Sequence, residues 1–152
     1  MSVTTNAAQT AARLRKIAER VEERAVDGLR AIAGATYREA GLGTPVDTGR
    51  ARANWRVTVA GETFDVIGIS TGPRAAQESA ASQAESQSQR EASSALAALR
   101  PGDRLFVQNN LPYIRRLNHG HSRKKPAGFV ERALAEGRSV ARRIRLVDRR
   151  GL

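Results

Sequence analysis

Leu14, Ile17, Val21, Ala25, Leu29 and Ile32 recur at the three-to-four-residue spacing of an α-helix, and Arg, Lys and Glu fill the positions between them. This predicts one long amphipathic helix over residues 10–39 whose apolar side must be covered. Gly28 and Gly34 fall inside it, where each costs about 1 kcal/mol relative to Ala, so a bend or a close approach is expected there. Gly41, Gly43 and Pro45 end it.

Past this helix the period changes. Ala53, Trp55, Val57 and Val59 alternate with Arg52, Asn54, Arg56 and Thr58, which predicts a half-buried strand over 51–60. Gly61 and Glu62 suggest a short turn, and residues 64–70 read as a second strand closing an antiparallel hairpin. Residues 73–95 are almost entirely Ala, Ser, Gln, Glu and Arg, too poor in large apolar groups to build a core alone. They are expected as a polar arm or insertion, helical over about 84–99 where Ala95, Leu96 and Leu99 appear, with Pro101 and Gly102 as the stop. A third strand is expected at 104–109 and a short helix at 112–117. After Pro126 a second amphipathic helix carries Phe129, Val130, Ala133, Leu134, Val140, Ile144 and Val147. The expectation is an α+β chain of 152 residues in a single domain: a small antiparallel sheet packed by long N-terminal and C-terminal helices, with residues 1–9 frayed.

Composition narrows the function. The chain has no cysteine, so it has neither a disulfide framework nor a thiolate metal site. Met1 to Gln9 is polar, and no stretch approaches the run of about 20 apolar residues that a spanning helix needs. A chain neither exported nor embedded is expected, with no membrane partner. A formal charge of +11 would attract polyanions or acidic protein surfaces.

Asp47-Thr48-Gly49 is the triplet that carries the carboxylate of aspartic proteases. Here Arg50 and Arg52 follow it, and an adjacent guanidinium would hold the carboxylate ionised and paired. The residues favour an Asx-type turn, Asp47 accepting from backbone amides just ahead and Gly49 free to take positive φ. His119 and His121 flank Gly120, but a catalytic zinc needs three protein ligands, and Arg115, Arg116, Arg123 and Lys124 surround them. Gly41-Leu42-Gly43 lacks the further glycine of a phosphate-cradling loop, and the serines at 79–94 have no partnered base. No enzyme, cofactor or metal is expected. Residues 123–150 hold ten Lys or Arg against Glu131, Glu136 and Asp148. Their helix could grip phosphates, and Arg138, Arg142, Arg143 and Arg145 could equally face a protein partner.

Three segments matter in their order: Pro45-Val46-Asp47-Thr48-Gly49-Arg50 leading to Asn54 and Trp55; Asn109-Asn110-Leu111-Pro112-Tyr113 after a strand; and Gly120-His121-Ser122 followed by Pro126-Ala127-Gly128-Phe129. The set resembles the tail-completion and neck (head-tail joining) proteins of tailed bacteriophages, including the lambda Z-like minor tail protein group. The resemblance spans about 44–134. It carries family positions onto Asp47, Thr48, Gly49, Arg50, Asn54, Trp55, Asn109, Pro112, Tyr113, Gly120, Ser122, Pro126, Gly128 and Phe129. Ala51 stands where a larger apolar residue is usual, and Asn118 where Glu is common.

The resemblance implies a tail-terminator-like structural virion protein, assembled in the bacterial host cytoplasm. Identical copies would form a ring, six-fold by analogy with tails or else twelve-fold, that completes the tail and supports head-tail joining. Its partners would be connector, tail-terminator or tail-tube proteins, with DNA contact in the lumen. The alternative from the residues themselves is a basic nucleic-acid-binding module acting through the Arg-rich C-terminal helix.

Overall fold

The structure, a computed structural model, describes residues 4–59, 61–69 and 72–146. In chain order its elements are α1 (Thr4–Gly43), α2 (Arg50–Ala53), β1 (Arg56–Val59), α3 (Arg74–Ala98), β2 (Leu105–Gln108), α4 (Ile114–Asn118) and α5 (Phe129–Arg143). The architecture is α+β, helix-dominated, with one two-stranded antiparallel sheet flanked by the long terminal helices.

The expected period-3.6 run is there, and α1 is longer than its apolar spacing implied: it is already helical at Thr4, inside the stretch expected to fray. What it buries differs from the stripe of large residues. Leu14 and Leu29 are exposed, whereas Val26, Gly28, Ala33, Ala35, Ala40 and Gly43 are buried. The small residues win because α5 packs close along α1. A Cβ on Gly43 would lie 2.7 Å from Phe129 Cβ, one on Gly28 would lie 3.1 Å from Ile144, and one on Gly137 of α5 would collide with the Thr36 hydroxyl. Gly28 therefore serves close packing. Leu134, expected on the buried face of α5, is 48% exposed, and α5 stops at Arg143 with Ile144 extended against α1. Val147 lies outside the described residues.

The hairpin expectation is corrected. Residues 51–53 belong to the short helix α2, the strand starts at Arg56, and residues 64–69 form no strand. Instead β1 pairs with β2, in the register Arg56↔Gln108, Val57↔Val107, Thr58↔Phe106 and Val59↔Leu105. Side-chain amides take the place of a backbone ladder along the segment after β1. Asn54 donates to Ile67 O (3.2 Å) and accepts from Ile67 N (2.7 Å), while Gln108 and Asn110 donate to Thr63 O at 2.6 and 2.5 Å. Amide side chains mimic a strand's donor and acceptor, so a neighbouring segment can be held without extended pairing. Ala60 and Ser70, the ends of the two expected strands, lie outside the described residues.

The polar stretch 73–95 is also corrected: α3 begins at Arg74, ten residues earlier than expected, and packs as a helix on β1. Ala81, Ser88 and Ala92 form its buried face. Their spacing of seven and four puts them on one side, and their small size lets the helix sit close to the sheet. Arg30 of α1 holds the far end of α3, donating to Leu96 O (2.8 Å), Leu99 O (3.1 Å) and Ala97 O (3.2 Å). These are carbonyls that a helix C-terminus leaves without intrahelical partners.

The core sits where the helices meet the sheet. Ala40, Trp55, Phe129 and Ala133 are buried together, with Tyr37, Val107, Ile114, Leu117 and Val130 packed around them. Two buried hydroxyls complete it. Trp55 Nε1 donates to Thr44 Oγ1 (2.8 Å), which donates to Ala40 O (2.7 Å). Ser88 Oγ donates to Trp55 O, so Tyr37 OH, 3.2 Å away, is the donor to Ser88. Burial pushes the Tyr37 phenol up, and the Ser88 hydrogen bond opposes that.

Candidate functional site: a basic cleft where three motifs meet

Each segment of the ordered motif set has its own local reason for its shape. Gly49 takes φ +89° and precedes α2, whose first turn is closed by Ala53 N donating to Gly49 O at 3.0 Å. Asn54 then donates to Arg50 O (2.9 Å), ending the helix and turning the chain into β1. After β2, Asn109 reaches back to donate to Ala51 O (2.8 Å) and accepts from Leu111 N (3.2 Å), which ties the second segment to the first. Tyr113 starts α4, and Pro112 is exposed beside it.

The third segment is organised by Asn118, at the end of α4. Its backbone O accepts from Gly128 N (2.8 Å), its Oδ1 accepts from Val130 N (2.9 Å), and its Nδ2 donates to both Glu131 oxygens (2.9 and 3.0 Å). Asn118 thereby caps α5 from 12 residues upstream, satisfying amides that a helix N-terminus leaves open. The Glu131 carboxyl is held below its ordinary range, first by this Asn118 hydrogen bond. The resemblance puts Glu at this position, yet here a Glu would set two carboxylates together. Asn118→Ala is expected to cost about 1–2 kcal/mol, as lost helix caps do, and Asn118→Glu more. Urea unfolding of the two variants measures both.

These segments converge on one cleft of about 450 Å³, lined by Pro45, Val46, Asp47, Thr48, Gly49, Arg50 and Ala51, by Tyr113 and Leu117, and by residues 121–124. Of the motif residues singled out in the sequence, Pro45, Asp47, Thr48, Gly49, Arg50, Tyr113 and Ser122 thus share its wall. Asn54, Trp55, Asn109 and Phe129 lie behind it as supports, Gly120 (φ +91°) and Gly128 (φ +80°) shape the loop, and Pro126 is exposed. Arg138, Arg142, Arg143 and Arg145 are not part of the cleft and are exposed along and just beyond α5. Among them, Arg143 lies 3.7 Å from Glu136.

Charge in the cleft is lopsided. Arg50, Arg123 and Lys124 line it against the single carboxylate of Asp47, and Arg50 Nε is buried without a hydrogen-bond partner. His121 Nδ1 sits 3.1 Å from Arg116 O. Burial pushes the Tyr113 phenol up even though Arg50 pulls it down. A wall of this kind favours an anionic group such as a carboxylate from an approaching surface.

Asp47 itself departs from the expected Asx-type turn. Its Oδ1 accepts from Lys124 Nζ (2.8 Å) and Arg74 Nη2 (3.2 Å), so one exposed carboxylate clips the third segment and the start of α3 to the first. The ammonium of Lys124, by hydrogen bond and by charge, and then Arg74 hold its carboxyl below the ordinary aspartate range. A depressed folded pKa means the clip is intact above the unfolded aspartate pKa and is lost as pH falls through the folded one. An NMR titration is expected to place the Asp47 midpoint below that of an unstructured aspartate, and Lys124→Ala to move it back further than Arg74→Ala does. An unchanged midpoint in both variants would contradict the clip.

Sequence reasoning missed Thr44, Ser88 and Arg74, and it met Asn118 only as a departure from the resemblance, without its capping role. Of the three missed, Ser88 left a trace, the seven-and-four spacing with Ala81 and Ala92. Among the described residues no three His, Asp or Glu side chains gather as a cation site, and no helix is long and apolar enough to cross a membrane. Fold and cleft together define a helix-dominated α+β protein with a cation-lined recess. Comparison with protein-family models, with curated proteins and with solved structures finds no match.

Proposed function

We propose that this chain is a structural subunit of a tailed-bacteriophage particle, one copy in a closed ring at the head-tail junction that completes the tail. The observation that carries the reading is the cleft. Segments separated by up to some 80 residues, and singled out by their order in the sequence, line one recess. A cation-lined recess that opens on a surface suits docking of an acidic side chain from a neighbouring connector, tail-terminator or tail-tube subunit. A cyclic ring needs two different patches on each subunit. Phe64, 83% exposed on the segment held by Asn54, Gln108 and Asn110, supplies an aromatic anchor away from the cleft lining. In this reading the protein is not an enzyme and uses no cofactor; its neighbours are other virion proteins, and the ring is six-fold.

The test is particle imaging. Purified virions of the phage that encodes the chain are expected to show it as a symmetric ring between head and tail, and particles made without it are expected to hold unjoined heads and tails. Normal joined particles made in its absence would overturn the proposal.

A second reading, duplex nucleic-acid binding, is favoured by one observation: Arg138, Arg142 and Arg145 are exposed, and among the described residues none of the three forms an ion pair. It predicts affinity for DNA that falls steeply between two salt concentrations and a shallower slope for Arg142→Ala with Arg143→Ala, through counterion release.

A further inference from the structure

The first turns of α1 have no partner among the described residues. Every residue from Asn6 to Lys16 is exposed, Leu14 at 61%. The packing of α5 on α1 runs from Phe129 against Gly43 to Ile144 against Gly28, and the last described contact is Arg24 Nη1 donating to Leu146 O at 3.4 Å. Some 15 residues, Thr4 to Ala18, about 22 Å of helix at 1.5 Å per residue, therefore project past the folded body, and from Glu19 onward the helix shares a recess with Leu99, Arg100 and Pro101. A helix of this length is marginal in water without a packed face.

The segment nevertheless carries one. At about 100° per residue, Ala7, Ala11, Leu14, Ile17, Ala18 and Val21 fall within an arc of about 120°. Its two borders differ in charge. Arg13, Arg20 and Arg24 line one, and Glu19 and Glu22, with Arg15 between them, line the other. Among the described residues none of these six forms an ion pair within the chain.

That asymmetry selects both a partner and a direction. Two such helices side by side and parallel set the arginine border of one against the glutamate border of the next, with Arg20 and Arg24 within about 3 Å, along the axis, of Glu19 and Glu22. An antiparallel, two-fold pair sets arginine border against arginine border. We propose that residues 4–24 form a self-association helix that packs in parallel on the same segment of a second copy, burying the Leu14, Ile17 and Val21 stripe. A parallel contact between unlike borders repeats around a rotation axis, so it suits a ring, and it stands whether or not that ring belongs to a virion.

The experiment uses the full chain, which has no cysteine of its own. Ala11→Cys alone is expected to cross-link to itself between copies with a short bis-maleimide. A mixture of Ala7→Cys and Ala18→Cys is expected to give the two like products and no mixed one. Leu14→Asp with Ile17→Asp is expected to convert the assembly to monomers in sedimentation while the thermal transition of the folded body persists, because both positions lie beyond it. Arg20→Glu with Arg24→Glu is expected to raise the midpoint concentration for association roughly tenfold, and adding Glu19→Arg and Glu22→Arg to restore it. A monomeric wild type, an assembly indifferent to the Leu14 and Ile17 changes, or a dominant mixed product would each overturn the proposal. Absence of the chain from virions, with self-association intact, would remove the phage reading and leave this one standing.

Discussion

Phe129→Ala is expected to lower the free energy of unfolding by about 3–5 kcal/mol, the range for removing a buried aromatic ring. Phe129 is fully buried, the first residue of α5, and its ring sits in the cluster of Ala40, Trp55 and Ala133 with Tyr37, Val107, Ile114, Leu117 and Val130 around it. These residues come from α1, the link before β1, β2, α4 and α5, so no single element can move to refill the space. The close approach of Gly43, where a Cβ would lie 2.7 Å from Phe129 Cβ, fixes the ring from the α1 side as well. For a domain of this size the loss is a large share of total stability. Urea unfolding with Trp55 fluorescence reads it directly, since Trp55 is the chain's only tryptophan and belongs to the same cluster. A loss below about 1 kcal/mol would mean that the ring packs elsewhere.

Gly49→Ala is expected to be nearly as costly, at about 2–4 kcal/mol, from two separable causes. At φ +89° an L side chain is strained, and a Cβ there would lie 2.8 Å from the Ala81 Cβ of α3. Relief can come only by moving α2 away from α3, which would shift Arg50 and reshape the basic cleft. A double-mutant cycle tells the causes apart. Ala81→Gly in the Gly49→Ala background is expected to recover the overlap and leave the backbone strain, giving a favourable coupling of about 0.5–3 kcal/mol. Strict additivity would show that the two positions do not meet.

Gly49 also illustrates what could be read from residue order. Its need for positive φ follows from the Asp-Thr-Gly turn, and the structure bears that out, but the second obstacle to a side chain is Ala81, 32 positions later in a stretch expected to be a polar arm or insertion. The same holds for Asp47. Its neighbours in sequence, Arg50 and Arg52, were the expected counter-charges; its partners are Lys124 and Arg74. The cleft follows this pattern throughout: the residues were visible as three ordered segments, and their meeting was not, because it depends on Asn109 bonding to Ala51 O and on Asn118 capping α5. Such long-range hydrogen bonds leave no periodic mark.

Periodicity, which reports how a local segment divides its surface between apolar and polar sides, was sufficient for the two long helices, the inward turn of Trp55 and Val57, a strand within the expected 104–109 and the α+β class. It could not say which helix face is covered or which strand pairs with which, because both depend on what arrives from elsewhere in the chain. Tertiary packing chose glycine and alanine over leucine on α1 so that α5 could come close, paired β1 with β2 across some 45 residues, and turned a polar stretch into a helix on the sheet through Ala81, Ser88 and Ala92. Of the large apolar residues near the start of α1, Leu14 is thereby left exposed and Ile17 and Val21 half-buried.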